Sequence, residues 1–155
     1  MSLILDTQEF LDAVCQMLAE GESNIPIPVA GGSMTPFLVH GDTVYLSAPD
    51  SPLKRGDVVL YQRLGGRYIL HRIKKVRKDG SLIIVGDAQR ELELLPSQTL
   101  VRARVIGAMH KGKPCRPGSF RWWFYRRPWL WLLPLRHRLM WLKGKWNNFW
   151  RAPHI

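Results

Sequence analysis

No acidic residue occurs after Glu93 in this 155-residue chain, and no tryptophan occurs before Trp122. Residues 1–93 hold all 12 acids and 10 of the basic residues, a net charge of −2; residues 94–155 hold the other 13 basic residues, a net charge of +13. The chain thus divides into a near-neutral body and a basic tail that carries all seven tryptophans. Cysteine is almost as scarce. Cys15 and Cys115 stand far apart and in no metal or redox spacing, which excludes a disulfide framework and fits two reduced thiols in a cytosolic protein. Long apolar runs are missing too. Residues 1–20 carry Asp6, Glu9, Asp12 and Glu20 and no basic residue, so neither a secretory signal nor an N-terminal membrane anchor is expected there. The longest uncharged run of the tail, Pro128–Leu135, is broken by Pro134 and is far too short to span a bilayer.

The length suits one domain with its own core. Asp6 with Glu9 reads as a capping box, Phe10, Leu11, Val14 and Leu18 follow at helical spacing, and Gly21 is a stop signal. A short amphipathic helix is therefore expected within residues 1–24. From Ile25 onward, short β-rich runs alternate with Gly, Pro and Asp. Thr43–Leu46, Val58–Gln62, Tyr68–Val76, Leu82–Val85 and Leu100–Met109 read as strands, with Asp79-Gly80 and Gly65-Gly66 as hairpin turns. Strands with tight turns and no helix between them predict a mostly β, antiparallel, partly closed structure over residues 25–110. Residues 111–119 read as a linker rich in Gly, Pro and charge, and residues 120–155 as the basic, Trp-rich tail.

Chemistry gathers at Gly31-Gly32-Ser33-Met34-Thr35-Pro36. Glycines before a serine let backbone approach a substrate closely and leave amides to face an oxyanion. Gly41-Asp42, Arg55-Gly56-Asp57, Leu70-His71-Arg72 and Val85-Gly86-Asp87-Ala88 follow in order. A histidine delivered by an apolar strand can take and return a proton near neutral pH, which is what a serine hydroxyl needs to become a nucleophile.

This ordered set resembles the signal peptidase I family, in particular its archaeal, sporulation and endoplasmic-reticulum branch, over about residues 28–107. The resemblance implies a serine endopeptidase of the signal-peptidase and LexA fold type. It makes Ser33 the nucleophile and His71 the general base, in place of the lysine of the bacterial branch. Asp87 would orient the base, with Glu91 and Glu93 as rivals for that role. Gly32, Ser33 and Met34 would supply the oxyanion and substrate contacts. Gly31 stands where many members carry a serine. Gly41-Asp42 and Gly56-Asp57 read as turn and cap, hence as fold. Lys74 and Lys75 could serve a Ser–Lys dyad only if desolvated, and the run Lys74–Lys78 reads as a solvated strand face.

The resemblance implies cleavage of an extended peptide after a small residue, through an acyl-enzyme, with no metal or organic cofactor. The expected substrate is a peptide or leader-bearing protein, met at the cytoplasmic side. In the tail, Leu135, Leu139, Leu142, Trp146, Phe149 and Trp150 recur at helical spacing among Arg, Lys, His and Asn. A C-terminal amphipathic segment within residues 120–151 is therefore expected to lie on a membrane surface. Packing on the body is the rival, and nucleic-acid binding lacks a supporting motif. Two other function classes compete with catalysis: a non-catalytic membrane- or partner-binding module on a peptidase-like fold, and a self-cleaving regulator of the LexA type.

Overall fold

The computed structural model describes residues 2–135, and side chains from residue 7 onward. Helix α1 (Ser2–Ala19) opens the chain. It starts four residues before Asp6, so Asp6 lies inside the helix and the expected capping box is not its N-terminus. Its other end is as expected. Gly21 adopts φ 99°, its N–H donates to Leu18 C=O, and Glu22 N–H reaches back to Met17 C=O, a Schellman closure. Val14 and Leu18 are buried and Leu11 packs beside them, whereas Phe10 stays exposed.

Among the described residues eight strands follow: β1 (Ser23–Pro28), β2 (Thr43–Ser47), β3 (Val58–Gln62), β4 (Tyr68–Val76), β5 (Leu82–Val85), β6 (Glu93–Leu95), β7 (Val101–His110) and β8 (Lys113–Cys115). They form one antiparallel sheet in the order β1-β2-β7-β3-β4-β5-β6, with β8 also on β7. The sheet is mostly β as expected but remains open. Strand β7 joins its two halves. It pairs with β2 along residues 104–109 and, on its other edge, with β3 near Val101–Arg104 and with β8 near Ala108–His110. The supposed linker 111–119 thus contains a strand that turns straight back onto the sheet.

The alternation of the strands sorts two cores. Val44, Leu46, Val58, Leu60, Ala103 and Val105 face Val14 and Leu18 of α1 together with Met34, Phe37 and Leu38. Val59, Tyr61, Ile73, Leu82, Ile84, Leu95 and Val101 build the second. Strand β3 has buried residues on both faces and reads as a nearly continuous apolar run.

After β8, helices α2 (Phe120–Arg126) and α3 (Pro128–Trp131) lie across the body. Phe37 packs against Trp122 and Tyr125, with ring centroids 6.0 and 5.1 Å away. The Arg121 guanidinium donates to the carbonyls of Pro36 and Phe37, Arg126 pairs with Asp57 at 2.7 Å, and Leu130 and Leu133 cover Val85. At Gly56, which adopts φ 94°, an added Cβ would stand 2.4 Å from Arg126 C=O, so the tail crosses directly over this turn. The first part of the tail therefore packs on the body. Beyond Leu135, the amphipathic segment expected from that residue onward lies outside the described residues.

One buried ion pair binds these parts together. Arg72 donates to both carboxylate oxygens of Asp87 (2.9 and 2.7 Å) and to Gly56 C=O (2.9 Å), and its guanidinium lies 4.6 Å from the Phe37 ring centre. Both side chains are almost wholly excluded from solvent. Replacing Arg72 by Met strands a buried carboxylate, and the expected loss is about 3–5 kcal/mol in urea unfolding. The double variant Arg72→Met/Asp87→Leu removes the charge as well and is expected to recover most of that loss.

Candidate active site

Ser33 sits in the turn between β1 and β2. Three hydrogen bonds shape that turn: Thr35 N–H to Gly32 C=O, Leu38 N–H to Met34 C=O, and Ala88 N–H to Ser33 C=O at 2.8 Å. Met34, Phe37 and Leu38 anchor its far side in the first core. Gly86 explains the glycine of the last box: a Cβ there would stand 2.8 Å from Ser33 C=O, so only glycine lets the two segments come this close. Among the described residues nothing accepts a hydrogen bond from the Ser33 or Met34 N–H.

His71 comes from the middle of β4, opposite Val59 of β3. Strand β5 covers β4 only from Arg72 to Val76, where Arg72 faces Val85. Beyond that point the chain leaves as Gly86-Asp87-Ala88 and binds the Ser33 turn. No described strand pairs with Tyr68–His71 on that side. The opening between this edge and residues 29–34 is a pocket of about 290 Å³, lined by Ser33 and Met34 on one wall, Ile69, Leu70 and His71 on the other, and Arg63 and Arg67 at the hairpin end. The sequence-predicted pair is thus brought to one pocket from segments far apart in the chain. No hydrogen bond joins Ser33 Oγ to His71 among the described residues. Met34 is buried beside Ser33, and Gly32 is exposed next to it.

Asp87 is not placed as expected: both its oxygens are held by Arg72, so it braces the neighbour of His71 and does not orient the imidazole. Glu91 is exposed. Glu93, the other rival, is linked to His71 through a residue that sequence reading treated only as part of a strand. His71 Nδ1 lies 3.4 Å from Tyr61 Oη, and that hydroxyl donates to Glu93 Oε2 at 2.7 Å. The Arg63 guanidinium grips the same carboxylate, with Nε 2.9 Å from Oε1. Glu93 sits on β6, two strands away from β4, so no local spacing links it to His71. The paired aspartates do behave as fold elements. Asp42 accepts from the Val39 and Lys111 N–H groups and pairs with His110, and Asp57 accepts from Lys54 N–H and pairs with Arg126. Lys74 and Lys75 do not line the pocket.

Burial sets the protonation of the site. It pushes His71 down to about 4, against a smaller opposing pull from Glu93, so the imidazole is neutral at neutral pH. Burial also pushes the Tyr61 hydroxyl up, with the Glu93 carboxylate adding to the effect, so Tyr61 stays protonated. Arg63 holds Glu93 below the usual carboxylate range, and Glu93 in turn raises Arg63. Among the described residues no group of His, Cys, Asp and Glu is placed to hold a metal ion.

Compared with known proteins, the chain matches no family model, no curated protein and no solved structure.

The shift of His71 makes stability depend on pH. The unfolded chain takes up this proton near pH 6.5 and the folded chain only near 4, so the stabilising effect is complete above about 6.5 and is lost as the pH falls towards 4. Between pH 7 and 5 the urea-unfolding free energy is expected to fall by about 2 kcal/mol from this group alone. The same measurement on His71→Gln should show a flatter slope across that interval.

Proposed function

We propose that the chain is a serine endopeptidase that resembles the signal peptidase I family and cleaves an extended peptide through an acyl-enzyme. The observation that carries this reading is that Ser33 and His71 line one pocket along an unpaired strand edge. An edge of this kind can take a peptide as an added strand through main-chain hydrogen bonds. The peptide carbonyl would then lie over Ser33. His71, neutral at neutral pH, accepts the proton of Ser33 Oγ as the oxygen attacks, and returns it to the leaving amine. The N–H groups of Ser33 and Met34 are the candidate donors to the oxyanion, each such donor being worth a factor of about 10²–10³ in kcat. Water then releases the acyl group by the same proton transfers in reverse order of partner.

The test is direct. Purified protein is incubated with a pool of synthetic peptides carrying Ala or Gly at scattered positions, and products are read by mass spectrometry. Cleavage after small residues is expected, falling at least ~10³-fold in both Ser33→Ala and His71→Ala, because members of such a pair act as a unit. Cleavage that survives in Ser33→Ala would overturn the reading. Absence of any Ser33-dependent cleavage would leave a binding module on this fold as the better account.

The tail has an outward face as well as the inward one already described. Phe120, Trp123, Trp131 and Leu135 are exposed, and Arg55, Arg126 and Arg127 stand among these aromatics, with Arg55 lying 5.3 Å from the Trp131 ring centre. No helix among the described residues is long and apolar enough to cross a membrane. Exposed tryptophan beside arginine, in a stretch of sequence with no acid, favours an anionic membrane surface as partner. Co-sedimentation with anionic vesicles at low salt is expected, with release as salt screens the charges. Phe120→Ser/Trp131→Ser should weaken binding at unchanged thermal stability. Truncation before residue 120 is unsuitable here: it removes Trp122, Tyr125 and Leu130 from the body and should destabilise it. Vesicle binding that is equal in the double variant and the native chain would exclude this face.

A further inference from the structure

We infer that Tyr61 is the residue that positions the catalytic base, fixing the proton of His71 on Nδ1 and leaving Nε2 as the proton-accepting nitrogen; this rests on the peptidase reading above.

A phenol has one proton and can donate only once. Two partners lie against Tyr61 Oη: Glu93 Oε2 at 2.7 Å and His71 Nδ1 at 3.4 Å. A carboxylate held by a bidentate arginine can only accept, so the Tyr61 proton belongs to Glu93. What remains towards His71 is a lone pair. His71 Nδ1 must then be the donor, and a neutral imidazole that carries its proton on Nδ1 presents an unprotonated Nε2. Reversing the arrangement would place two acceptors, or two protons, against each other in a buried site, where an unmet polar group is destabilising.

The position of the group supports this role. Tyr61 is wholly buried in the second core, on β3, one strand from His71. Its ring packs against the imidazole with centroids 6.2 Å apart, which limits ring rotation. Arg63 and Glu93 sit at the partly exposed end of the chain of contacts, and Tyr61 spans from there into the interior. A carboxylate placed directly against His71 would have to be desolvated at that depth. The tyrosine transmits the carboxylate's orientation while a neutral oxygen makes the inner contact. As the base takes the Ser33 proton, the same dipole, backed by the Glu93 charge, faces the new imidazolium.

The experiment reads the tautomer, not only the rate. In protein labelled with nitrogen-15 at histidine, long-range nitrogen–proton correlation spectra near pH 7.5 distinguish a protonated from an unprotonated ring nitrogen. His71→Gln identifies the signal. The native chain is expected to show His71 with Nδ1 protonated and Nε2 bare. In Glu93→Ala the Tyr61 proton is released to turn towards Nδ1, and the His71 proton is expected to move to Nε2. In Tyr61→Phe the Nδ1 preference should be lost. Both variants should lower kcat about 10- to 100-fold with little change in KM, less than the ~10⁴-fold attached to loss of a direct aspartate in the Ser-His-Asp template. Glu93 is partly exposed, so Glu93→Ala is expected to fold, and it keeps the test valid even if Tyr61→Phe does not. A native His71 protonated on Nε2, or a tautomer unchanged in Glu93→Ala, would overturn the inference. The spectra do not depend on turnover, so a chain with the expected tautomer and no peptide cleavage would overturn the function and not the placement of the proton.

Discussion

The buried contact between Arg72 and Asp87 is the constraint on which the rest of the molecule depends. A guanidinium this deep is tolerated only if its donors are matched, and here they are matched by parts of the chain that would otherwise have no reason to meet. Asp87 follows β5, Gly56 precedes β3, and Phe37 lies just after the Ser33 turn. Satisfying Arg72 brings all three to β4. The Ser33 turn then needs only the Ala88 amide and a missing side chain at Gly86 to come to rest beside the strand edge.

Adjacent residues of a strand point to opposite faces, and the site uses that fact electrostatically. Arg72 faces Phe37 and its carboxylate partner and carries a structural charge. His71, its neighbour, faces Tyr61 in the other core and is kept neutral by burial. Two basic side chains next to each other in sequence thus have separate partners, separate acids and different tasks. Asp87 holds Arg72, and Glu93 reaches towards His71 only through Tyr61.

Much of this was legible in the residues. Strands Val58–Gln62, Tyr68–Val76 and Leu82–Val85 run as their β-branched patterns predict, and the turns at Gly65-Gly66 and Asp79-Gly80 join them. Strand β1 escaped notice because SNIPIP carries two prolines, which only an edge position tolerates, and β1 is at the edge. Strand β8 hid in a run of Gly, Pro and Lys because it is three residues long and held by β7 rather than by propensity. The pairing of Ser33 with His71 in one pocket was foreseeable from the ordered motifs. Which of Asp87, Glu91 and Glu93 reaches towards His71 was not, because proximity in sequence says nothing of which carboxylate an arginine has already taken. The aromatic tail left two readings open for a related reason: its first 16 residues, 120–135, offer one face to the core and another to solvent, and composition averages the two.

The bare stretch of β4 also has a cost. An uncovered strand edge invites any extended segment, including the same edge of a second copy, and a molecule with such a feature risks growing into ribbons. Here the exposed Arg63 and Arg67 stand at the mouth of the opening. Two copies approaching edge to edge would bring like charges together, whereas a single flexible chain can thread past them. Arg63 is already paired with Glu93, so Arg67 is the charge that works against self-pairing at this edge.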